Sequence, residues 1–221
     1  MNPEALAEEI HRRLIAHYGT PEWRPHLSPV DELVSTILSQ NTNDTNRDRA
    51  FQNLTKRFST WDEVRDAPVE EIVEAIKIAG LANQKGPRIK EALQEITERE
   101  GEISLDFLNA MSVREAKEWL TGLKGVGPKT AAIVLLFSHE RPAFPVDTHV
   151  HRVTGRIGLR PPKMNAEKAH PFLEKVFSPE QYYAVHLNLI KLGREICKAR
   201  KPECPICPLR DICTYFQEKV K

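Results

Sequence analysis

Cysteine is absent from the first 196 residues of this 221-residue chain, and the four that occur all fall from residue 197 onward. No apolar run approaches the ~20 residues that a transmembrane helix needs, and a mean hydropathy of −0.46 argues against a membrane protein. The opening residues, Met1 to Glu9, are acidic and lack a signal peptide's apolar core, so the chain is expected to stay in the cytoplasm. A strong charge of one sign is also missing: 32 Lys and Arg against 31 Asp and Glu leave a formal net charge of +1. A whole-molecule attraction to nucleic acid is thereby excluded, and any grip on a polyanion must come from local patches. Runs of alternating apolar and polar residues are lacking too, so strands are not expected.

What is present is helical periodicity. Residues 3–18 carry Leu6, Ile10 and Leu14 at helical spacing, closed by Gly19. After a Pro-rich connection over 20–29, Ser28-Pro29 with Asp31 and Glu32 starts a second helix. Its Val30, Leu33, Val34, Ile37 and Leu38 form a wide stripe that should be buried. The same reasoning predicts helices over 43–58, 68–79, 85–99, 113–121, 130–137, 147–157, 166–176, 179–192 and 208–219. With 40% hydrophobic and 29% charged residues, such a chain can bury one sizeable core or two small ones.

One stretch stands out, Leu123-Lys124-Gly125-Val126-Gly127-Pro128-Lys129-Thr130-Ala131, with Asp147 eighteen residues beyond Lys129. It reads as helix, tight hairpin, helix. Pro128 can open the second helix, and the amides around Gly125 and Gly127 can converge on a phosphate oxygen. Such a hairpin grips a nucleic-acid backbone without reading bases. Glycine at a helix-helix turn is also common without any ligand. Lys129, just inside the helix start, meets the positive end of the dipole, which makes a neutral, nucleophilic amine easier to reach. Asp147 before Thr148-His149 reads equally as a helix cap.

Two polar segments have the same double reading. The run 38–44, containing Gln40 and Asn41, suits helix capping, and Leu81 after Gly80 suits a hydrophobic contact at a helix end. Gln84, Lys85 and Arg88 follow on what would ordinarily be a solvated helix face. The cysteines are more specific. Their pattern, Cys197-x6-Cys204-x2-Cys207-x5-Cys213, points to a metal centre, because cytosolic chains rarely keep disulfides. Four thiolates suit zinc or an iron–sulfur cluster equally well. Lys198, Arg200 and Lys201 lie between the first two cysteines, where a pinned loop would hold them for phosphate contacts.

Taken together, the hairpin, the Pro145-Val146-Asp147-Thr148-His149 segment and the cysteine spacing resemble the helix-hairpin-helix DNA glycosylases, most closely the endonuclease III branch. The resemblance spans nearly the whole chain. It implies an all-α protein of two helical domains flanking a DNA-binding cleft: residues 23–141 as a helical barrel domain with the hairpin, and 1–22 plus 142–221 as an iron–sulfur domain. It implies a 4Fe–4S cluster on Cys197, Cys204, Cys207 and Cys213. Lys129 would attack the sugar C1′ and form a Schiff base, with Asp147 stabilising positive charge on the sugar.

The same resemblance makes Leu81 a wedge between bases and makes Gln40 or Asn41 the amide that fills the space of a flipped base. Gln84, Lys85, Arg88, His149, Lys198, Arg200 and Lys201 would contact DNA, as would the hairpin residues Leu123, Lys124, Gly125, Val126, Gly127 and Thr130. Lys124 departs from the frequent Pro. The implied partner is double-stranded DNA with a damaged base or abasic site, bound by a monomer without membrane association. The implied activity is release of a damaged pyrimidine and β-elimination at the abasic site. A monofunctional glycosylase for uracil or thymine opposite guanine, a 5-methylcytosine glycosylase and a noncatalytic DNA-binding module are the alternatives. Lys129 and Asp147 argue against the first and the last.

Overall fold

The computed structural model describes residues 2–24 and 27–219, so residues 25 and 26 of the Pro-rich connection lie outside the described residues. The chain divides into two compact units, Met1–Arg24 with Pro142–Lys221, and Pro25–Arg141. Among the described residues every regular element is helical, and no helix is long and apolar enough to cross a membrane.

Helix α1 (Pro3–Tyr18) starts the first unit. The Asn2 side chain accepts the Ala5 N–H at 2.8 Å, and Gly19 ends the helix at φ 83°. The second unit follows as α2 (Pro29–Ser39), α3 (Asp44–Arg57), α4 (Trp61–Asp66), α5 (Val69–Ile76), α6 (Ala82–Glu100), α7 (Val113–Thr121) and α8 (Pro128–Ile133). Helix α6 packs against α5, and α2 packs against α3 and α8. Leu33, Ile37, Leu54, Ile72, Ile76, Ile89 and Leu93 lose all solvent contact there, as the apolar stripes predict.

Several expected helices are broken differently. The segment 68–79 is α5 followed by a 3₁₀ turn, Lys77–Ala79, that Gly80 closes at φ 66°. Helix α6 begins earlier than predicted because Leu81 turns left-handed and its carbonyl accepts the N–H groups of Gln84 and Lys85. After α8 the ladder widens into a π-helical turn over Val134–Ser138. Helix α4 was not anticipated. Its signal is Thr60 three residues before Glu63, since the Thr60 hydroxyl accepts the Glu63 N–H and the Glu63 carboxylate accepts the Ser59 N–H.

The first unit resumes with α9 (Thr148–Ile157), α10 (Ala166–Val176), α11 (Tyr182–Glu195) and α12 (Thr214–Lys219). The helix expected over 179–192 opens instead as a 3₁₀ turn, Pro179–Gln181. Of the helix expected over 208–219 only α12 forms, behind a 3₁₀ turn at Arg210–Ile212, because cysteines 207 and 213 belong to an irregular loop. Helix α11 packs against α9 and α1. Fully buried Phe144 stacks on Phe177 with centroids 5.5 Å apart and meets the Tyr182 edge at 5.3 Å. Its N–H donates to Glu174 at 2.9 Å, while His170 and His186 bond the carbonyls of Phe144 and Pro145. Phe144 and Pro145 are therefore hydrogen-bonded where the chain leads to Asp147 at the start of α9.

Gly86 marks the closest approach of α5 and α6. A Cβ there would stand 2.7 Å from Cγ2 of Val73, a β-branched side chain with little rotamer freedom in a helix. Gly86→Ala should lower stability by about 1–3 kcal/mol, measured by urea denaturation. An unchanged midpoint would show that the helices separate without cost.

Candidate active site and metal centre

The hairpin joins α7 to α8. Ser112 and Glu115 cap α7 reciprocally, and the chain turns at Gly125 with φ 83°. Leu123 and Val126 are buried, as is Thr130, so these three offer the exterior main chain only. The Val126 N–H donates to the Leu123 carbonyl at 3.1 Å, which tightens the turn. Gly127 caps α8 without any side-chain hydrogen bond, and a Cβ built on it would meet nothing within 4 Å. First-turn N–H groups left without a side-chain cap can donate to an outside oxygen. Lys129, half-buried, is the second residue of α8. Lys124 is exposed and donates to Glu91 at 3.0 Å, so part of its charge is already compensated.

Helix α6 borders this turn. The Arg88 side chain runs beside Gly125, where a Cβ would lie 3.0 Å from its Cδ, and it donates to Gln40 Oε1 at 3.0 Å. Gln84 is exposed. Lys85 overturns the expectation that it faces phosphates: it is 1% exposed, and its ammonium donates inward to oxygens of Leu38, Thr42 and Ala79. Burial pushes its pKa below the ordinary lysine value. The spacing of Gln84, Lys85 and Arg88 could not reveal this, because the acceptors lie on two other segments. Asn41 and Leu81 are both exposed and both left-handed at φ 51°. Among the described residues, Leu81, at 47% exposure, is one of two large apolar side chains in the open, the other being Ile206.

In the first unit Asp147 caps α9, its Oδ1 accepting the Val150 N–H at 2.7 Å. The capping reading is therefore correct, and it leaves the second carboxylate oxygen for another partner. His149 Nδ1 accepts from Arg152 at 3.1 Å, and Arg152 also donates to the carbonyls of Gly193 and Cys197. One turn later Arg156 donates to the carbonyls of Lys198 and Ala199 and approaches Cys197 Sγ at 3.5 Å. These two arginines tie the cysteine loop to α9. Their i, i+4 spacing was visible in the sequence, but their carbonyl partners were not.

The four cysteines carry free thiols and line one pocket, whose walls include Val153, Ile157, Leu192, Ile196 and Leu209. Burial pushes the Cys207 thiol up to about 11, and the neighbouring Cys197, Cys213 and Cys204 add to the rise. Cys204 and Cys213 are raised for the same first reason, desolvation. Four crowded thiols in an apolar pocket ionise only against concentrated positive charge, and that donor set fits an iron–sulfur cluster. In the loop they enclose, Arg200 and Lys201 are exposed, and Lys198 pairs with Glu203.

Comparison with known proteins gives the following similarities. A family model described as the HhH-GPD superfamily of base excision DNA repair proteins matches residues 34–179, and one for the iron–sulfur binding domain of endonuclease III matches residues 197–213. Endonuclease III of Sulfolobus acidocaldarius is 34% identical over 191 residues, covering 86% of this chain and 83% of the relative. That of Thermotoga maritima is 32% identical over 216 residues, covering 98% and 96%. Among solved structures, a trapped endonuclease III–DNA covalent intermediate superposes with a TM-score of 0.84 at 25% identity, over the whole of both chains.

The two hairpin glycines respond to opposite constraints, which gives a paired test. Gly127→Ala, at φ −97° and with open space around it, should lower stability only by the loss of a glycine cap, about 1 kcal/mol or less, yet weaken binding to damaged and undamaged duplex alike. Gly125→Ala should instead destabilise, because it combines a left-handed φ with contact to Arg88. Full duplex affinity in Gly127→Ala would remove the hairpin from the interface. For the cysteines, anaerobically purified protein should be brown and hold about four iron and four sulfide per chain. Colourless protein with one zinc would replace the cluster.

Proposed function

Because the chain belongs to the HhH-GPD superfamily of base excision DNA repair proteins, and within it to the endonuclease III family with its 4Fe–4S binding domain, we propose that this DNA glycosylase is bifunctional. It releases an oxidised pyrimidine from duplex DNA and then cleaves the abasic strand by β-elimination, acting as a monomer. The observation that carries this reading is an amine, Lys129, at the start of α8 immediately behind the Gly125–Gly127 turn. A covalent intermediate with DNA has been trapped for a relative of the same fold. An amine at this position can act in the same way.

Each step then has a residue. The backbone amides of the hairpin hold a phosphate, which fixes the sugar relative to Lys129. The Nζ of Lys129 attacks C1′, and the bond from C1′ to the base nitrogen breaks with its electron pair leaving on the base. Loss of a proton from nitrogen, with the C1′–O4′ bond breaking and O4′ taking up a proton, opens the sugar to a Schiff base; removal of a C2′ proton then forms a C2′–C3′ double bond as the C3′–O bond breaks and the 3′ phosphate leaves. The Asp147 oxygen not engaged by the Val150 N–H opposes the positive charge that develops on the sugar. Leu81 and an amide from 40–41 occupy the space the base vacates.

Cys197, Cys204, Cys207 and Cys213 would hold the 4Fe–4S cluster, which cross-links the loop and takes no part in bond breaking. Its exposed Arg200 and Lys201 are then presented to phosphates at reduced entropic cost.

Incubation with a lesion-containing duplex and borohydride should trap a covalent protein–DNA adduct, with the strand nicked 3′ to the abasic site. Lys129→Ala should abolish both. Asp147→Asn retains the capping oxygen, so melting should change little, while base release should fall by roughly two or more orders of magnitude through loss of a major electrostatic contact. Wild-type trapping by Lys129→Ala would move the nucleophile elsewhere, and unfolding of Asp147→Asn would reduce Asp147 to a cap.

A further inference from the structure

Two exposed turns of the second unit are joined through one buried side chain. The Lys85 ammonium donates to the Leu38 carbonyl at 2.7 Å, the Thr42 hydroxyl at 2.7 Å and the Ala79 carbonyl at 2.9 Å. Three donors meet three oxygens, at a side chain that is 1% exposed. The Thr42 hydroxyl itself donates to the Ala79 carbonyl, which closes the set. A methionine could replace the aliphatic stem but could not donate to these three oxygens, so packing alone does not account for an ammonium here.

What these oxygens have in common is their position. Leu38 and Thr42 bracket Asn41, and Ala79 lies two residues before Leu81. Asn41 and Leu81 are both left-handed at φ 51°, a conformation that asparagine adopts readily but that strains leucine. Gln40, beside Asn41, is already tied to α6 through Arg88. Asn41 is therefore the outward amide of the pair, and Leu81 is the outward apolar tip.

We propose that Lys85 is a positioning residue whose buried ammonium locks the Asn41 turn to the Leu81 turn, so that the two side chains enter the duplex as one preformed unit when a base is extruded. The inference rests on the glycosylase reading above and assigns the gap-filling role to Asn41. Its benefit is entropic. Two turns already held together have less freedom to lose at the moment of insertion, so more of the contact energy is available to hold the base out.

The test uses full-length Lys85→Met, Thr42→Val and Thr42→Ser. Hydrogen–deuterium exchange should accelerate together in 38–43 and 79–84 of Lys85→Met, by about tenfold or more as local opening becomes easier, while 123–131 stays unchanged. Single-turnover base release from a duplex with one oxidised pyrimidine should fall about tenfold or more, as preorganisation is lost. Borohydride trapping on a single-stranded abasic oligonucleotide, which needs no extrusion from a duplex, should change by less than about threefold, because the nucleophile is untouched. Thr42→Val should follow the same pattern more weakly, and Thr42→Ser, which keeps the hydroxyl, should behave as wild type.

Faster exchange in only one of the two turns would overturn the lock. So would equal losses on both DNA substrates with lowered melting in Lys85→Met and Thr42→Val alike, since that is the mark of a structural residue only. If wild-type protein releases no base while both turns still loosen together in Lys85→Met, the lock stands and the glycosylase reading fails.

Discussion

An ammonium inside a helical core must be met by oxygen on every N–H, and the second unit is arranged so that it is. Helix α6 supplies Lys85. The end of α2, the turn before α3 and the 3₁₀ turn after α5 supply the acceptors. Those are the places where helices stop, and a helix end has carbonyls to spare. One charged side chain thus satisfies main-chain oxygens from two separate loops. Three residues further along, Arg88 reaches Gln40 and lies against Gly125, so α6 also borders the hairpin. The exposed turns of this unit are held by a buried polar core, and their conformations follow from it.

The first unit solves a related problem with arginine. Helix α9 begins at Asp147, and its Arg152 and Arg156 donate to carbonyls at 193, 197, 198 and 199. A planar guanidinium can serve several acceptors at once, which suits an irregular loop whose carbonyls have no helical partners. Burial raises the Cys204, Cys207 and Cys213 thiols of that loop, and a bound iron–sulfur cluster would supply the positive charge that favours thiolates there. One helix therefore carries an acidic residue at its start and a metal-ligand loop along its side.

The hairpin places different demands on neighbouring glycines. Gly125 is favoured by the chain itself, because φ 83° strains any other residue and a Cβ would press on the Arg88 side chain. Gly127 has ordinary backbone angles and empty surroundings, so only its place as the cap of α8 favours glycine from within the fold. That open space leaves the hairpin surface free for close approach of another molecule.

Much of this was legible in order along the chain. Periodicity and caps located most helices because those signals are local: Ser28 with Pro29, Pro128 at the start of α8, and Gly19 at a left-handed stop all act within a few residues. The hairpin, Asp147 and the cysteine spacing were legible for the same reason, since each is a short motif whose chemistry needs few neighbours. What the sequence by itself determined was therefore the helical class, the family and the candidate nucleophile and metal ligands. Tertiary structure alone decided the rest. Lys85 reads as a solvated basic residue until α2, α3 and the turn after α5 surround it, and Arg152 and Arg156 read as surface charge until the 197–199 loop folds onto them. Burial and hydrogen-bond partners are properties of segments distant in sequence, so residue type and spacing cannot reveal them.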